Sequence, residues 1–214
     1  MKQYQAIIFD MDGVIIDSEP LHERAYLEIF AEKGYAENHG VDFDEYIGRT
    51  DLALIEDFVA RHKPDFSVQQ FSDWKRDRVL EIIRKEEPIF ESLPELLQRL
   101  APRYPLAVAS GSLHPVIDAV LAMKNLRQHF KVIVSSSDVA HGKPAPDIFL
   151  RAAALLKVPP ESCCVIEDSV AGVRAARAAG MDVIAITNTL PRERLKEATW
   201  IVDSNHEIDE LLLP

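Results

Sequence analysis

The chain has few cysteines and no long apolar segment, and both shortages limit what it can be. Of its 214 residues only Cys163 and Cys164 are cysteines, and they are adjacent in an apolar run. Neighbouring cysteines have poor geometry for a disulfide and lack metal-ligand spacing, so we expect two small core residues. No run is long enough to span a bilayer, and the first apolar run ends at Asp10, too early for a signal peptide. We therefore expect a cytoplasmic protein.

Positive charge is also scarce. The 24 Lys and Arg residues are outnumbered by 35 Asp and Glu residues, which gives a formal net charge of -11 at pH 7. A surface of this sign repels nucleic-acid backbones and anionic membranes, so neither is an expected partner. An anionic substrate must then be held by a few local cations and a metal. The length suits one domain, or one domain that carries an insertion, and we expect a monomer or a weak dimer.

The clearest signal is a short apolar run that ends in two carboxylates, Asp10 and Asp12, followed by Gly13. Such a run predicts a central parallel strand, and the carboxyl ends of these strands face the ligand crevice of an open α/β sheet. Side chains alternate along an extended chain, so both carboxylates can face that crevice. Two like charges this close favour a divalent cation, and oxygen ligands favour Mg²⁺ over Zn²⁺. The alternative is that both aspartates merely end a strand and cap a turn.

The segment after this strand has helical periodicity and interrupts the expected alternation of strands and helices. A first helix stops at Gly34, a second starts at Thr50, and a third follows a capping box formed by Ser67 and Gln70. The pattern predicts an all-helical insertion in an α/β protein. We expect a cap domain over 18–87 and a core domain over 1–17 and 88–214.

From Ser92 onward, short apolar runs alternate with helices. This alternation predicts a parallel, doubly wound sheet. We expect capping boxes at Ser92 with Glu95 and at Ser204 with Glu207. Pro146 suits the first turn of a helix and Gly180 a helix stop. The predicted strands after the first are 105–110, 131–134, 163–168, 182–186 and 200–202.

The carboxyl ends of parallel strands meet at one edge of a sheet, so the polar residues that follow them are expected together. Three carboxylates, a further acid, a hydroxyl and an ammonium predict a metal-assisted phosphoryl-transfer site. Taken singly, each residue has a simpler interpretation, such as a turn serine, a solvated lysine or an acidic helix cap. The residues at this edge are Asp10, Asp12, Ser110, Lys143, Glu167 and Asp168.

Each residue type has a chemical reason to lie there. Asp10 is the candidate nucleophile, because a carboxylate can form an aspartyl-phosphate, and Asp12 is the candidate general acid and base. Lys143 would neutralise charge on the group in transfer. A strand that ends in Ser110, Gly111 and Ser112 can cradle phosphate oxygens with its hydroxyl and N–H groups. The predicted metal ligands are Asp10, Asp12, Glu167 and Asp168.

These motifs together resemble the haloacid dehalogenase superfamily, in the phosphatase and β-phosphoglucomutase branch that has a helical cap after the first strand. The resemblance covers essentially the whole chain and implies an aspartyl-phosphate mechanism with Mg²⁺. It implies that Asp10 is the nucleophile and Asp12 the acid and base, whereas the dehalogenases lack the second aspartate. A departure occurs at 89–92, where relatives often carry a proline and a glycine. The matching motifs are 9–14, Ser110 with Gly111, Lys143 with Pro144, and 167–169.

The predicted cap supplies the candidates for substrate selection, because a rim that recognises only phosphate and metal cannot discriminate between leaving groups. His22 and Lys75 match cap positions of the sugar-phosphate mutases, and Arg49 lies one or two places out of register. Alternatively, all three are solvent-facing helix charges. We expect a Mg²⁺-dependent phosphatase of a small phosphorylated metabolite, such as a sugar phosphate. The alternatives are a β-phosphoglucomutase-like transferase and an inactive binding or regulatory protein.

Overall fold

The computed structural model describes residues 3–46 and 51–213 and divides into two compact units. One unit comprises Met1–Asp17 and Glu87–Pro214, and the other comprises Ser18–Glu86. In chain order the α-helices are α1 (Glu19–Glu32), α2 (Asp51–His62), α3 (Val68–Glu86), α4 (Leu93–Leu100), α5 (His114–Ala122), α6 (Asp147–Leu156), α7 (Val170–Ala178) and α8 (Asn205–Leu212).

The first unit is built on a six-stranded sheet in the order β3-β2-β1-β4-β5-β6. Every pairing between the described strands is parallel, so the predicted α/β class is confirmed. Strand β1 lies between β2 and β4, and all of its residues are buried, as its uninterrupted apolar sequence predicts. The strands are β1 (Ala6–Phe9), β2 (Leu106–Ala109), β3 (Phe130–Val134), β4 (Cys163–Glu167), β5 (Asp182–Ile186) and β6 (Trp200–Val202).

A hydrophobic core of small and branched side chains supports this sheet. Ile8 and Val165 of the central strands pack with Phe149 of α6 and Val173 of α7. Each fully buried side chain of this kind contributes roughly 1.5–3 kcal/mol of hydrophobic stabilisation. Cys163 and Cys164 are buried free thiols, as their apolar surroundings predict. The core therefore holds the carboxyl ends of neighbouring strands in a fixed register.

Two of the predicted capping boxes had different outcomes. Ser67 N–H donates to Gln70 Oε1 at 2.9 Å and Gln70 N–H donates to Ser67 Oγ at 3.2 Å, so the box before α3 is confirmed. The box of Ser92 and Glu95 is wrong, because Ser92 makes no side-chain cap hydrogen bond. Its backbone is already near-helical, with φ −82° and ψ −8°. The Ser92 hydroxyl instead accepts from Asn205 Nδ2 at 3.0 Å.

Other helix ends follow their sequence signals more closely. Gly180 comes after α7 with φ +76°, a left-handed conformation that favours glycine, and Pro146 directly precedes α6. Ser204 Oγ accepts from Glu207 N–H at 3.3 Å and caps α8. The Glu207 carboxylate accepts from Asp203 N–H at 3.2 Å, one residue before the position that a complete capping box requires.

The second unit consists of α1, α2 and α3 around an aromatic core. The Phe30 and Phe58 ring centroids lie 4.7 Å apart, which is close enough for direct ring contact. Large aromatic side chains supply much of the buried apolar area in so small a unit. The buried rings are Tyr26, Phe30, Phe58, Phe66 and Phe71.

The helix boundaries of this unit agree with the sequence where they are described. α1 is followed by Gly34 at φ +83°, which confirms the predicted stop. The predicted start of the second helix, Thr50, lies outside the described residues, and α2 begins at Asp51. Within 3–46 and 51–213, no helix is both long and apolar enough to cross a membrane.

The chain leaves and re-enters the first unit through two extended segments that pair with each other. Phe90 N–H donates to the Ile15 carbonyl at 3.2 Å, and Asp17 N–H donates to the Pro88 carbonyl at 2.9 Å. Ile16 also forms an isolated antiparallel β-bridge with Ile89. Both ends of the helical segment are therefore attached to one short ladder.

Candidate active site

Asp10 directly follows β1 and is buried at the edge of the sheet where the carboxyl ends of the strands meet. Its residue surface is 6% exposed, and its N–H donates to the Ile166 carbonyl at 2.9 Å. This bond extends the pairing of β1 with β4 by one residue and fixes the backbone that bears the carboxylate. Lys143 Nζ donates to Asp10 Oδ1 at 2.6 Å. The two residues, 133 positions apart in the chain, thus form a direct ion pair.

Lys143 joins two buried carboxylates. Its Nζ also donates to Glu167 Oε1 at 2.6 Å and lies 5.1 Å from the ring centroid of Phe149. The side chain is only 13% exposed, so the interpretation as a solvated surface lysine is wrong. Burial lowers the pKa of Lys143, but the carboxylates of Asp10 and Glu167 outweigh this and hold it above its ordinary value. The side chain is therefore a cation at neutral pH.

Glu167, the last residue of β4, is held on both oxygens. Oε2 accepts from the N–H groups of Asp168 at 2.8 Å and Ser169 at 2.7 Å, and from the Ser169 hydroxyl at 2.9 Å. Burial raises the pKa of Glu167, but Lys143 and Ser169 lower it further, so the carboxylate is charged. Ser169 also caps α7 by accepting from Gly172 N–H at 3.0 Å. The interpretation as a helix cap thus holds for Ser169, whereas Glu167 binds Lys143 and the N–H groups that follow β4.

Three buried acids converge at this edge in a way that suits a cation. Oxygen atoms of Asp10, Glu167 and Asp168 all lie within 4.8 Å of one another. Burial is the largest cause that raises the pKa of Asp10 to about 7, and burial also raises the pKa of Asp168 well above its ordinary value. Bringing such groups together in the charged state is costly unless a cation compensates. The oxygen-only donor set fits a hard divalent ion such as Mg²⁺.

Asp12 lies outside that cluster and contacts the loop after β2. Its Oδ2 accepts from the Ser112 hydroxyl at 3.1 Å. Ser112 N–H in turn donates to Ser110 Oγ at 3.0 Å, and Ser110 is completely buried. Gly111, between them, has open space around its Cα. The structure therefore brings Asp12 to the predicted phosphate loop, and its part as a metal ligand stays a prediction.

The loop after β3 supports the loop after β2. Ser136 N–H donates to the Ser112 carbonyl at 3.2 Å, and Ser110 N–H donates to the Val134 carbonyl at 3.0 Å. Helix α5 begins at His114, two residues beyond Ser112, so the serine loop directly precedes a helix N-terminus. N–H groups at this position are suited to an anion.

The loop after β5 also reaches the acidic cluster, and sequence reasoning missed it. Asn188 Nδ2 donates to the Gly13 carbonyl at 2.8 Å. Gly13 has φ +73°, and a Cβ there would overlap the Asp168 carboxylate and lie 2.6 Å from Thr189 Oγ1. The available signal was the polar run 187–189 directly after a predicted strand. The same signal identified Ser110 and Asp168.

The substrate-selection candidates lie in the helical unit. Lys75 Nζ is 2.5 Å from His22 Nδ1 and 5.3 Å from the ring centroid of Tyr26. The residue surface of Lys75 is 4% exposed, so the interpretation as a solvent-facing lysine is wrong for this position. The structure brings His22 and Lys75 together. Arg49 lies outside the described residues.

Comparison with known proteins gives matches that extend through both compact units. A family model described as haloacid dehalogenase-like hydrolase matches residues 4–180. The fructose-1-phosphate phosphatase YqaB of Escherichia coli (strain K12) is 34% identical over 192 residues, which are 86% of this chain and 97% of that protein. Hexitol phosphatase B of the same strain is 31% identical over 188 residues, which are 86% of this chain and 84% of that protein.

A solved structure matches this chain over almost its whole length. CbbY from Rhodobacter sphaeroides, in complex with xylulose-(1,5)bisphosphate, superposes with a TM-score of 0.83 at 29% sequence identity. The match covers 96% of this chain and 96% of that chain. The sheet and the helical segment between β1 and β2 therefore follow a known architecture.

Proposed function

We propose that this chain is a Mg²⁺-dependent sugar phosphate phosphatase. It belongs to the haloacid dehalogenase-like hydrolase family, in its β-phosphoglucomutase and CbbY branch. It is a phosphomonoester hydrolase by family. The observation that supports the proposal best is the buried site in which Lys143 joins Asp10 to Glu167 at 2.6 Å, beside Asp168. Such a site combines a nucleophile, a cation and the donor set for a metal.

In the proposed mechanism Asp10 is the nucleophile. One of its carboxylate oxygens bonds to phosphorus while the ester P–O bond breaks, and Asp12 donates a proton to the leaving sugar oxygen. A water molecule then gives a proton to Asp12 and its oxygen to phosphorus. The Asp10–phosphorus bond breaks, and inorganic phosphate leaves.

The remaining residues of the edge stabilise charge and fix positions. Lys143 offsets negative charge on the nucleophile and on the group in transfer, and the Ser110 hydroxyl and the N–H groups of the serine loop bind phosphate oxygens. Mg²⁺, when bound, supplies further neutralisation of phosphate charge as a Lewis acid. Asp10 and Asp168 would hold it, with Glu167 as a further ligand or as the neighbour that fixes them. The donor hydroxyl of Ser112 would keep Asp12 oriented for proton transfer.

The substrate part of the proposal comes from relatives and from the helical unit. The two similar phosphatases are named for fructose 1-phosphate and for hexitol phosphates. His22, Lys75 and Arg49 are the proposed selectors among sugar phosphates. The burial of Lys75 beside His22 supports this, because an ammonium withdrawn from water gains from contact with an anionic or hydroxyl-rich ligand. The division into a cap over 18–87 and a core over 1–17 and 88–214 belongs to the same proposal and is supported by the two compact units.

The test is a screen of the purified protein with Mg²⁺ against fructose 1-phosphate, hexitol phosphates, other sugar phosphates, nucleotides and phosphoglycolate. Phosphate release from one sugar phosphate group, lost in Asp10→Asn, is the expected result. A parallel assay follows conversion of β-glucose 1-phosphate to glucose 6-phosphate with a bisphosphate primer. Isomer conversion without net phosphate release would replace the phosphatase with the mutase. No turnover of any ester would favour an inactive binding protein.

A further inference from the structure

The loop after β5 has no part in the mechanism above, yet two of its side chains reach the acidic edge. Asn188 Nδ2 donates to the Gly13 carbonyl at 2.8 Å. The Thr189 side chain lies beside the Asp168 carboxylate, because a Cβ on Gly13 would meet both, at 2.6 Å from Thr189 Oγ1. Strand β5 pairs with β4 through Glu167 opposite Ala185, so the two strands deliver their following loops to the same edge. The pairing of β4 with β5 therefore brings the loop after β5 next to Asp168.

The three acids of the cluster differ in what holds them. Asp10 accepts from Lys143, and Glu167 accepts from Lys143, from Ser169 and from the Asp168 N–H. Burial raises the pKa of Asp168, and hydrogen bonding from the neighbouring Thr189 side chain lowers it, so Thr189 is the candidate donor to this carboxylate. A carboxylate that is only 4% exposed and lies next to two other acids needs such a donor to keep a single orientation.

Gly13 makes this contact possible. A Cβ at Gly13 would overlap Asp168 and would approach Thr189 Oγ1 to 2.6 Å, so both side chains occupy the space that a larger residue would fill. The Asn188 bond to the Gly13 carbonyl holds the same turn. The β5 loop thus closes over the turn that follows Asp12 and reaches the carboxylate beyond it.

We infer that Thr189 is a positioning residue for the divalent cation site, whose hydroxyl holds the Asp168 carboxylate in its ligating orientation. The inference rests on the proposed function, because it requires that Asp168 binds a metal. Neighbours that orient metal ligands commonly affect metal affinity about 10–100-fold when they are removed. Thr189 acts through Asp168 and does not itself contact the substrate.

The test measures Mg²⁺ binding directly, by isothermal titration calorimetry on the metal-free protein, for Thr189→Val and Thr189→Ser. Valine keeps the shape of threonine and removes the donor, so we expect at least about 10-fold weaker Mg²⁺ binding. Serine keeps the donor and should bind within about 3-fold of the unmodified protein. The Mg²⁺ concentration for half-maximal phosphatase activity should rise in the valine variant, with little change in KM for the sugar phosphate.

The chain offers a matched control in the same loop. Thr187 Oγ1 donates to Asp203 Oδ1 at 2.7 Å, away from the acidic cluster, so Thr187→Val also loses one threonine hydrogen bond. We expect unchanged Mg²⁺ affinity for this variant. Thermal unfolding in EDTA reports whether each variant is folded.

The outcomes separate the inference from the proposed function. Normal Mg²⁺ binding by Thr189→Val, or equal weakening in the valine and serine variants, would overturn the positioning role. Absence of Mg²⁺ binding by the unmodified protein would overturn both proposals. Strong Mg²⁺ binding that depends on the Thr189 hydroxyl, in a protein that hydrolyses no sugar phosphate, would support the inference and overturn the proposed function.

Discussion

Substitution of Asp10 by asparagine should abolish phosphatase activity and yet stabilise the metal-free protein. Burial raises the pKa of Asp10 from its ordinary value of 3.8 to about 7, even with Lys143 at 2.6 Å. Keeping the carboxylate ionised in the folded state at pH 8 then costs about 4 kcal/mol. The amide of Asp10→Asn is never ionised, and its oxygen can still accept from Lys143. We therefore expect a gain of up to about 4 kcal/mol in EDTA.

The pH dependence gives the prediction its sign. The pKa of Asp10 is higher in the folded state, about 7, than its ordinary value of 3.8. Protonated Asp10 therefore makes its full contribution to the free energy of unfolding below pH 3.8, and this contribution is lost as the pH rises to about 7. The advantage of Asp10→Asn should therefore be small near pH 4, grow through this window and stay constant above it. Saturating Mg²⁺ should reduce the stability difference between Asp10→Asn and the unmodified protein, because the cation stabilises only the carboxylate form.

The assay is thermal and urea unfolding of both proteins in EDTA at pH 4, 6 and 8. For a chain of this size, 1 kcal/mol corresponds to about 2–4 °C in Tm. Asp12→Asn is the control, since Asp12 is partly exposed and its amide form can still accept from Ser112 at 3.1 Å. We expect its stability to remain within about 1 kcal/mol of the unmodified protein. An Asp10→Asn protein no more stable than the unmodified one at pH 8, or equally stabilised at pH 4, would refute the reasoning.

Three further predictions concern other parts of the chain. Gly172→Ala should weaken Mg²⁺ binding and phosphate release, because its Cβ would overlap the Glu167 carboxylate. This loss is expected although alanine favours helices over glycine by about 1 kcal/mol. A variant that is more stable and has normal activity would contradict the prediction. Phe58→Ala should cost about 3–5 kcal/mol of unfolding free energy in urea, and a loss under about 1 kcal/mol would argue against the aromatic core. Lys75→Met should change the ranking of sugar phosphates more than hydrolysis of a generic aryl phosphate, and equal losses would count against a role in selection.

The strands were predictable because buried parallel strands are short, continuous apolar runs. The predicted bounds of β5 and β6, 182–186 and 200–202, coincide with the structure, and the run at 163–168 extends one residue beyond β4. Helix caps were less predictable. The residue types at Ser92 and Glu95 fit a capping box, but the near-helical backbone of Ser92 keeps its hydroxyl from the cap position. Sequence patterns indicate which residue types can cap, whereas backbone angles decide which of them do.

The edge of the candidate site was also predictable, since the strand ends identify which polar residues share it. The contacts between them were not. The sequence places Lys143 at this edge but does not indicate that its Nζ binds Asp10 and Glu167 at once, because that depends on the path of the loop after β3. Thr189 was missed for a similar reason, because a polar residue after a strand gains its importance from the turn at Gly13 that it contacts.

The short ladder that joins the two ends of the helical segment has a consequence for evolution. Ile16 and Ile89 already hold those ends side by side, so the inserted chain behaves as a loop closed by the sheet domain itself. The entropy of closing such a loop changes by only about 0.6 kcal/mol for each doubling of its length. Insertions, deletions and exchanges between Ser18 and Glu86 therefore perturb the stability of the sheet little. Related proteins that share the sheet domain can therefore evolve new substrate preferences through exchange of this helical segment, with little change in the sheet domain itself.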